Sequence, residues 1–391
     1  MRQCKRRTLP SAQTRDGETI DTSSFSASLP ERSVAVVLGT RPEIIKLAGI
    51  VELLGPAAWI IHTGQHYDDD MTRIFFEEFG MRHPDVHIQI GGATRGTQIG
   101  AATTMLDELF GELRPQCVIV QGDTNTVAAG SLAANARGIR LVHVEAGLRS
   151  NDRTMPEEHN RIIADHLADL CLAPTDIAVE NLAAENIDET RVRKTGNTIV
   201  EAVHRLMPDV TDRRSITVAH GVRPGQFALA TFHRPENVDD AAVLEEILLQ
   251  LGNLPIPVVL PLHPRTRKRL DDYGLVPNMD NITIVSPIGY REFLALGAES
   301  AFVISDSGGV QEEVSVYKRP LIVVRRSTER PEVIGTFAQL VQPGPVIAQI
   351  AVGWMDDLSG VHETLGTLES PYGDDGAPRR SVESIVEMLD R

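Results

Sequence analysis

The chain places acid, base and phosphate-binding side chains at the ends of short apolar runs, a pattern suited to proton transfer beside a diphosphate. The fullest instance is Ser305-Asp306-Ser307-Gly308-Gly309-Val310-Gln311-Glu312-Glu313, which follows Ala301-Phe302-Val303-Ile304. An apolar run, a Ser/Asp/Gly turn and a helix-compatible segment describe a strand feeding a helix N-terminus. Free backbone N–H groups and a positive helix end make that a phosphate-binding geometry. Glu313 falls one helical turn beyond Gly309, where it can face the same ligand and accept hydrogen bonds from ribose hydroxyls. The alternative is a glycine turn with Ser307 as an ordinary helix cap. Upstream, His233 and Arg234 follow the run Phe227–Thr231, and Pro261-Leu262-His263-Pro264-Arg265 repeats the pairing of a histidine with cations. Two such clusters suit binding or proton transfer near a pyrophosphate, although a lone histidine is more often structural.

The first half of the chain supplies carboxylates and a second phosphate-competent element. Val34–Leu38 runs into Gly39-Thr40-Arg41-Pro42-Glu43-Ile44-Ile45-Lys46, which puts Arg41 at a helix N-terminus beside a glycine. Thr40 and Glu43 have capping-box spacing, so a solvated Arg41 on a capped helix is the competing reading. Asp123, in Gln121-Gly122-Asp123-Thr124-Asn125-Thr126, is either a general acid/base or the cap of the next helix. Glu145 stands just past an apolar strand, where a carboxylate is seldom needed for folding, unless it pairs with Arg149. Glu157 opens a helix, and Thr154 three residues earlier allows another capping box. Glu157 with Arg161, and Arg161 with Asp165, share one helical face and could form a surface ion-pair ladder.

Strands and helices must bring these residues together. Apolar runs at Val34–Leu38, Trp59–Thr63, Cys117–Gln121, Arg140–Val144 and Leu170–Ala173 alternate with helical patterns. After about residue 200 the alternation restarts, with Phe227–Thr231, Pro257–Leu262, Ile282–Val285, Phe302–Ser305 and Leu321–Val324. Two successive sets read as two parallel α/β sheets, which bind ligands beyond the C-terminal strand ends. A chain of 391 residues is long enough for two domains, and 42% hydrophobic with 24% charged residues is globular composition. The net charge of −16 argues against nucleic acid as a partner, while a local cluster of Arg and His can still bind a small anion. No apolar run approaches the ~18 residues of a membrane span, and the polar first 32 residues lack a signal peptide's apolar centre. Cys4, Cys117 and Cys171 lack metal-ligand spacing, and the last two read as reduced core thiols of a cytoplasmic protein. There is no P-loop, GxGxxG, HExxH or paired CxxC, and Asp68-Asp69-Asp70 reads as a solvated acidic loop. Neither a metal nor a tightly bound nicotinamide is expected.

In order along the chain, GTRPEIIK (39–46), TGQHYDDDM (63–71), GDTNT (122–126), HVEAGLRS (143–150), MPEEHNR (155–161), TGNT (195–198), TFHRPEN (231–237), SDSGGVQEE (305–313) and TERPE (328–332) resemble the non-hydrolysing UDP-N-acetylglucosamine 2-epimerases. The resemblance spans about residues 33 to 390. It implies a GT-B type fold of two Rossmann-like domains over 33–198 and 199–374. A disordered extension would precede them over 1–32, and a C-terminal helix over 375–391 would pack back on the first. It also implies reversible C2 epimerisation to UDP-N-acetylmannosamine through anti elimination of UDP, a 2-acetamidoglucal and re-addition.

Asp123, Glu145 and Glu157 would handle protons or stabilise an oxocarbenium-like state, Arg161 would orient them, and His233 would assist UDP departure. Arg41, Lys46, Ser307, Gly308 and Gly309 would hold phosphates, Glu313 the ribose, and Pro287 and Tyr290 the uracil. Gln65, His66, Gln98, Arg234 and His263 match an allosteric site for a second substrate molecule. No cofactor, metal or membrane partner is implied, and the expected assembly is a homodimer. Departures from the family pattern include Asn125, Glu201, Gly289 in place of an acidic residue, and Arg326-Ser327. A hydrolysing 2-epimerase, an epimerase of a modified UDP-amino sugar, a GT-B glycosyltransferase and a nucleotide-sugar sensor remain alternatives.

Overall fold

Strands that are buried on both faces form the centre of each half, as continuous apolar runs require. The computed structural model describes residues 29–65, 69–277 and 280–391. Most of the tail expected over 1–32, with Cys4, falls outside the described residues. In the first half the strands are β1 (Val34–Leu38), β2 (Ala58–His62), β3 (Val86–His87), β4 (Cys117–Gln121), β5 (Arg140–Val144), β6 (Leu170–Ala173) and β7 (Val192–Lys194). The second half contains β8 (Ala228–Thr231), β9 (Val258–Pro261), β10 (Ile282–Val285), β11 (Phe302–Ser305), β12 (Leu321–Val324) and β13 (Ala338–Val341). All ten apolar runs form strands, with ends shifted by no more than a residue. The three strands without a matching run are β3, β7 and β13.

The sheets have order β3-β2-β1-β4-β5-β6-β7 and β10-β9-β8-β11-β12-β13. Every strand pairing in both is parallel. The order reverses between β1 and β4 in one sheet and between β8 and β11 in the other. At such a switch point the helices leave to opposite faces and open a crevice at the C-terminal strand ends.

One apolar core joins the halves. Val36, Leu38 and Ile119 of the first sheet belong to the same buried cluster as Phe227, Leu229 and Val303 of the second, bridged by Ile199, Val200 and Val203. Each such side chain contributes about 1.5–3 kcal/mol relative to exposure. The helix Ile199–Leu206 packs against both Arg41–Leu54 and Gly308–Tyr317, which are the helices that leave β1 and β11. The last helix, Ala377–Leu389, returns to lie on Arg41–Leu54. This packing turns the two switch points toward one another. Among the described residues no helix is long and apolar enough to cross a membrane.

Candidate active site

A cleft of about 280 Å³ lies between the halves, lined by Arg41 and Lys46 on one wall and by His233, His263, Pro287, Tyr290, Ser307, Gly309 and Glu313 on the other. Gly308 sits just behind this lining. A Cβ there would come within 2.5 Å of the Arg330 guanidinium, so glycine lets the helix start approach that cation closely. Ser307 occupies the N-cap position of Gly308–Tyr317, but its side chain makes no capping hydrogen bond. Ser307 lines the cleft, and the missing cap bond disfavours the purely structural reading. Behind it the Tyr290 hydroxyl donates to Glu313 Oε1 at 3.0 Å, while Glu313 Oε2 is buried with no hydrogen-bond partner among the described residues. Burial pushes the Glu313 carboxyl up to about 7.

His233 is held by a residue to which the sequence reading gave no role. Asp306, wholly buried at the end of β11, pairs with His233 Nδ1 at 3.0 Å. It also accepts from the amides of His233 and Arg234 and from Asn237 Nδ2. Burial opposes its ionisation, but the imidazole and the donated hydrogen bonds hold the carboxyl below its ordinary value. An ionised Asp306 can only accept, so Nδ1 carries the proton and Nε2 is left as the ring nitrogen available to a ligand. The ring of His263 lies 5.3 Å away, centre to centre.

Asp123, Glu145, Glu157 and Arg161 do not line this cleft, but the local structural explanations for the carboxylates fail one after another. Thr124, not Asp123, caps Asn125–Ala136, its Oγ1 accepting from the Val127 amide. Asp123 instead receives Arg161 Nη2. Burial opposes ionisation of Asp123, yet Arg161 and the more distant Arg330 and Arg234 hold its carboxyl below the ordinary value. Arg161 is buried and places Nη1 2.6 Å from Glu158 Oε2, so its helical partner is Glu158 and not Glu157. Asp165 is equally absent from the expected ladder, because it pairs with His143 at 2.6 Å and Arg149 at 2.8 Å. Met155 is the N-cap of Pro156–Leu167, and Thr154 Oγ1 turns to Asp152. No Thr154–Glu157 capping box forms. Glu157 is left half-buried, with no ion pair among the described residues.

Glu145 does not meet Arg149, whose guanidinium forks onto Glu185 at 2.6 and 2.7 Å. It has φ of 66°, a left-handed conformation that costs a non-glycine residue about 1–3 kcal/mol. Its carboxylate accepts from Gln121 Nε2 at 2.9 Å and pairs with Lys46 and with Arg330 Nη2, the latter at 3.0 Å. Burial pushes the carboxyl above its ordinary value against the pull of Lys46. Lys46 lines the cleft but is engaged by both Glu145 and Glu312, the latter at 2.7 Å. Arg330 also binds Glu312 Oε1 at 2.7 Å and contacts Glu329, which receives Arg325 at 2.9 Å. A buried ion network therefore runs from Asp123 and Glu145 across to the second half. Glu312, Glu329 and Arg330 lie inside the SDSGGVQEE and TERPE motifs, though the motifs alone assign them no role, and Arg325 lies outside both, just past β12.

The residues matched to a second ligand site fall into two groups. Gln65 Oε1 accepts from the amide and hydroxyl of Thr126, and Gln98 Oε1 from Asn125 Nδ2, so both sit at the start of Asn125–Ala136. Arg234 and His263 flank His233, with Arg234 3.7 Å from Glu329. His66 lies outside the described residues.

The family model for UDP-N-acetylglucosamine 2-epimerase matches residues 57–386. A UDP-N-acetylglucosamine 2-epimerase of Methanocaldococcus jannaschii is 40% identical over 320 residues, covering 79% of this chain and 87% of that protein. A UDP-2,3-diacetamido-2,3-dideoxy-D-glucuronate 2-epimerase of Pseudomonas aeruginosa is 36% identical over 364 residues, covering 91% of this chain and 99% of that protein. Among solved structures, the Methanocaldococcus jannaschii UDP-GlcNAc 2-epimerase in complex with UDP-GlcNAc and UDP matches with a TM-score of 0.81 and 36% identity, over 90% of this chain and 99% of that one.

Proposed function

Because this chain belongs to the UDP-N-acetylglucosamine 2-epimerase family, we propose that it interconverts UDP-N-acetylglucosamine and UDP-N-acetylmannosamine by inversion at C2 of the sugar. The observation that carries this reading is the meeting of two switch points in one cleft. One brings Arg41 and Lys46, with the Glu145 carboxylate paired to Lys46 behind the lining, and the other brings a histidine and a glycine-opened helix N-terminus. The C2 hydrogen is not adjacent to a carbonyl, so enolate chemistry is unavailable to acidify it.

Departure of UDP supplies the driving force instead. A carboxylate takes the C2 proton, the electron pair forms the C1=C2 double bond, and the C1–O bond breaks to release UDP. Asp123, Glu145 and Glu157 are the proton carriers of this scheme, with Arg161 holding Asp123. His233, held by Asp306, assists the leaving diphosphate, while Arg41 and the amides at Ser307–Gly309 stabilise its charge. Glu313 and Tyr290 take the nucleoside end, next to Pro287. Re-addition of UDP with the proton returned to the other face completes the inversion.

The experiment is proton NMR of UDP-N-acetylglucosamine with the protein in D₂O. The expected result is a new anomeric signal for UDP-N-acetylmannosamine, with deuterium entering C2. Free UDP with stoichiometric N-acetylmannosamine would instead mean a hydrolysing enzyme. The Pseudomonas aeruginosa relative, which this chain matches along nearly its whole length, supports a second reading with a 2,3-diacetamido sugar. That reading predicts exchange with such a sugar and none with UDP-N-acetylglucosamine.

A further inference from the structure

The helix Tyr290–Glu299 starts from Gly289, an N-cap without a side chain to satisfy the first helical amides. A carboxylate from the other half of the molecule does so. Glu78, the last residue of the helix Asp69–Glu78, accepts from the Tyr290 amide through Oε2 at 3.0 Å and from the Arg291 amide as well. A Cβ at position 289 would lie 2.5 Å from Glu78 Oε1, so a side chain there would push the Glu78 carboxylate from its present position. Aromatic contacts follow the same crossing. Phe75 and Phe79 lie 6.4 and 5.9 Å from Tyr290, ring centre to ring centre. On the far side the Tyr290 hydroxyl reaches Glu313 in the cleft, and Phe75 lies 5.7 Å from the Arg41 guanidinium. One end of a single helix thus touches both walls of the cleft.

We propose that Glu78 is a positioning residue that caps the Tyr290–Glu299 helix from across the cleft, latching the halves together and holding Tyr290 and Glu313 in place for the nucleotide. This rests on the UDP-sugar reading of the cleft. A carboxylate stabilises a helix N-terminus both by accepting its amides and by meeting its dipole. Glu78 can do this only while the halves are together, because with the cleft opened the helix start has no side-chain cap of its own. Glu78 therefore favours the closed arrangement, and a ligand that binds that arrangement is held more tightly.

Calorimetric titration with UDP and small-angle scattering test the proposal, on wild type, Glu78→Ala, Gly289→Asp and the double variant. Gly289→Asp gives the helix its own cap but sets a second carboxylate against Glu78. Each single variant should weaken UDP binding about tenfold and scatter as a more open molecule in saturating UDP. In the double variant Asp at 289 meets no carboxylate, so affinity should be no worse than with Glu78→Ala alone. Single variants that bind UDP within twofold of wild type, or losses that simply add, would overturn the latch. Wild-type protein that binds no UDP would overturn the reading of the cleft, and the latch with it.

Discussion

Around the crevice between β1 and β4, the polar side chains past the strand ends include Glu145, Asp123 and Arg161, buried or half-buried and tied into ion pairs that reach the other half. The equivalent crevice between β8 and β11 presents His233, braced by Asp306, and a helix start opened by Gly308 and Gly309. Strand order around the two crevices is the same, and their chemistry differs. The topology determines where a ligand can sit, and the residue that follows each strand determines what happens to it. On the proposed function, the first crevice would serve proton transfer and the second a leaving diphosphate.

The largest expected effect comes from cutting the bridge between the crevices. Arg330→Met leaves Glu145, Glu312 and Glu329 each short of a buried cation, and should cost about 3–5 kcal/mol in denaturant unfolding. A loss below 1 kcal/mol would mean that the two crevices are energetically independent. Next, Asp306→Asn keeps one acceptor oxygen for the His233 and Arg234 amides but removes the charge that fixes the imidazole. Turnover should fall about a hundredfold while UDP affinity stays within a few-fold. An unchanged kcat would reduce the second crevice to binding alone.

The smallest expected effect belongs to Glu43, which joins the ends of β1 and β4 by accepting from the Gly39 amide, Thr40 Oγ1 and Thr124 Oγ1. Burial pushes its carboxyl from 4.5 up to about 7. A carboxyl raised on folding contributes stability that is fully present below pH 4.5 and is lost as the pH climbs through 7. Wild type should therefore lose stability relative to Glu43→Gln over that window, by on the order of 3 kcal/mol or less. Unfolding curves at pH 4.5 and 7.5 check the sign.

What was legible in the sequence follows the same physical division. The ten foreseen strands include every one with neighbours on both sides, because burial on both faces demands an unbroken apolar run. β3, β7 and β13 are edges, and Val86-His87 and Val192-Arg193-Lys194 are too short and too exposed to leave such a run. Polar residues just past a strand were conspicuous for the same reason, so Asp123, Glu145 and His233 could be singled out.

Their partners could not be read locally. Arg161 has Glu157 four residues back and Glu158 three back, and only the fold selects Glu158. Capping-box spacing at Thr40–Glu43 yields half a box, with Glu43 reaching back to the Gly39 and Thr40 amides and no cap from the Thr40 side chain. Glu78 carries no local signature, since its partner amide at Tyr290 is 212 residues away. Asp306 could have been found, because a wholly buried carboxylate ending an apolar strand needs donors, and the histidine stretch was the available source.

The most direct test of the division between crevices is Asp123→Asn, read out by UDP calorimetry and by C2 deuterium exchange on one preparation. The variant should bind UDP within about twofold of wild type and lose exchange by a factor of a hundred or more. Weakened UDP binding with exchange retained would contradict the account, because the first crevice would then hold the nucleotide and proton transfer would lie elsewhere.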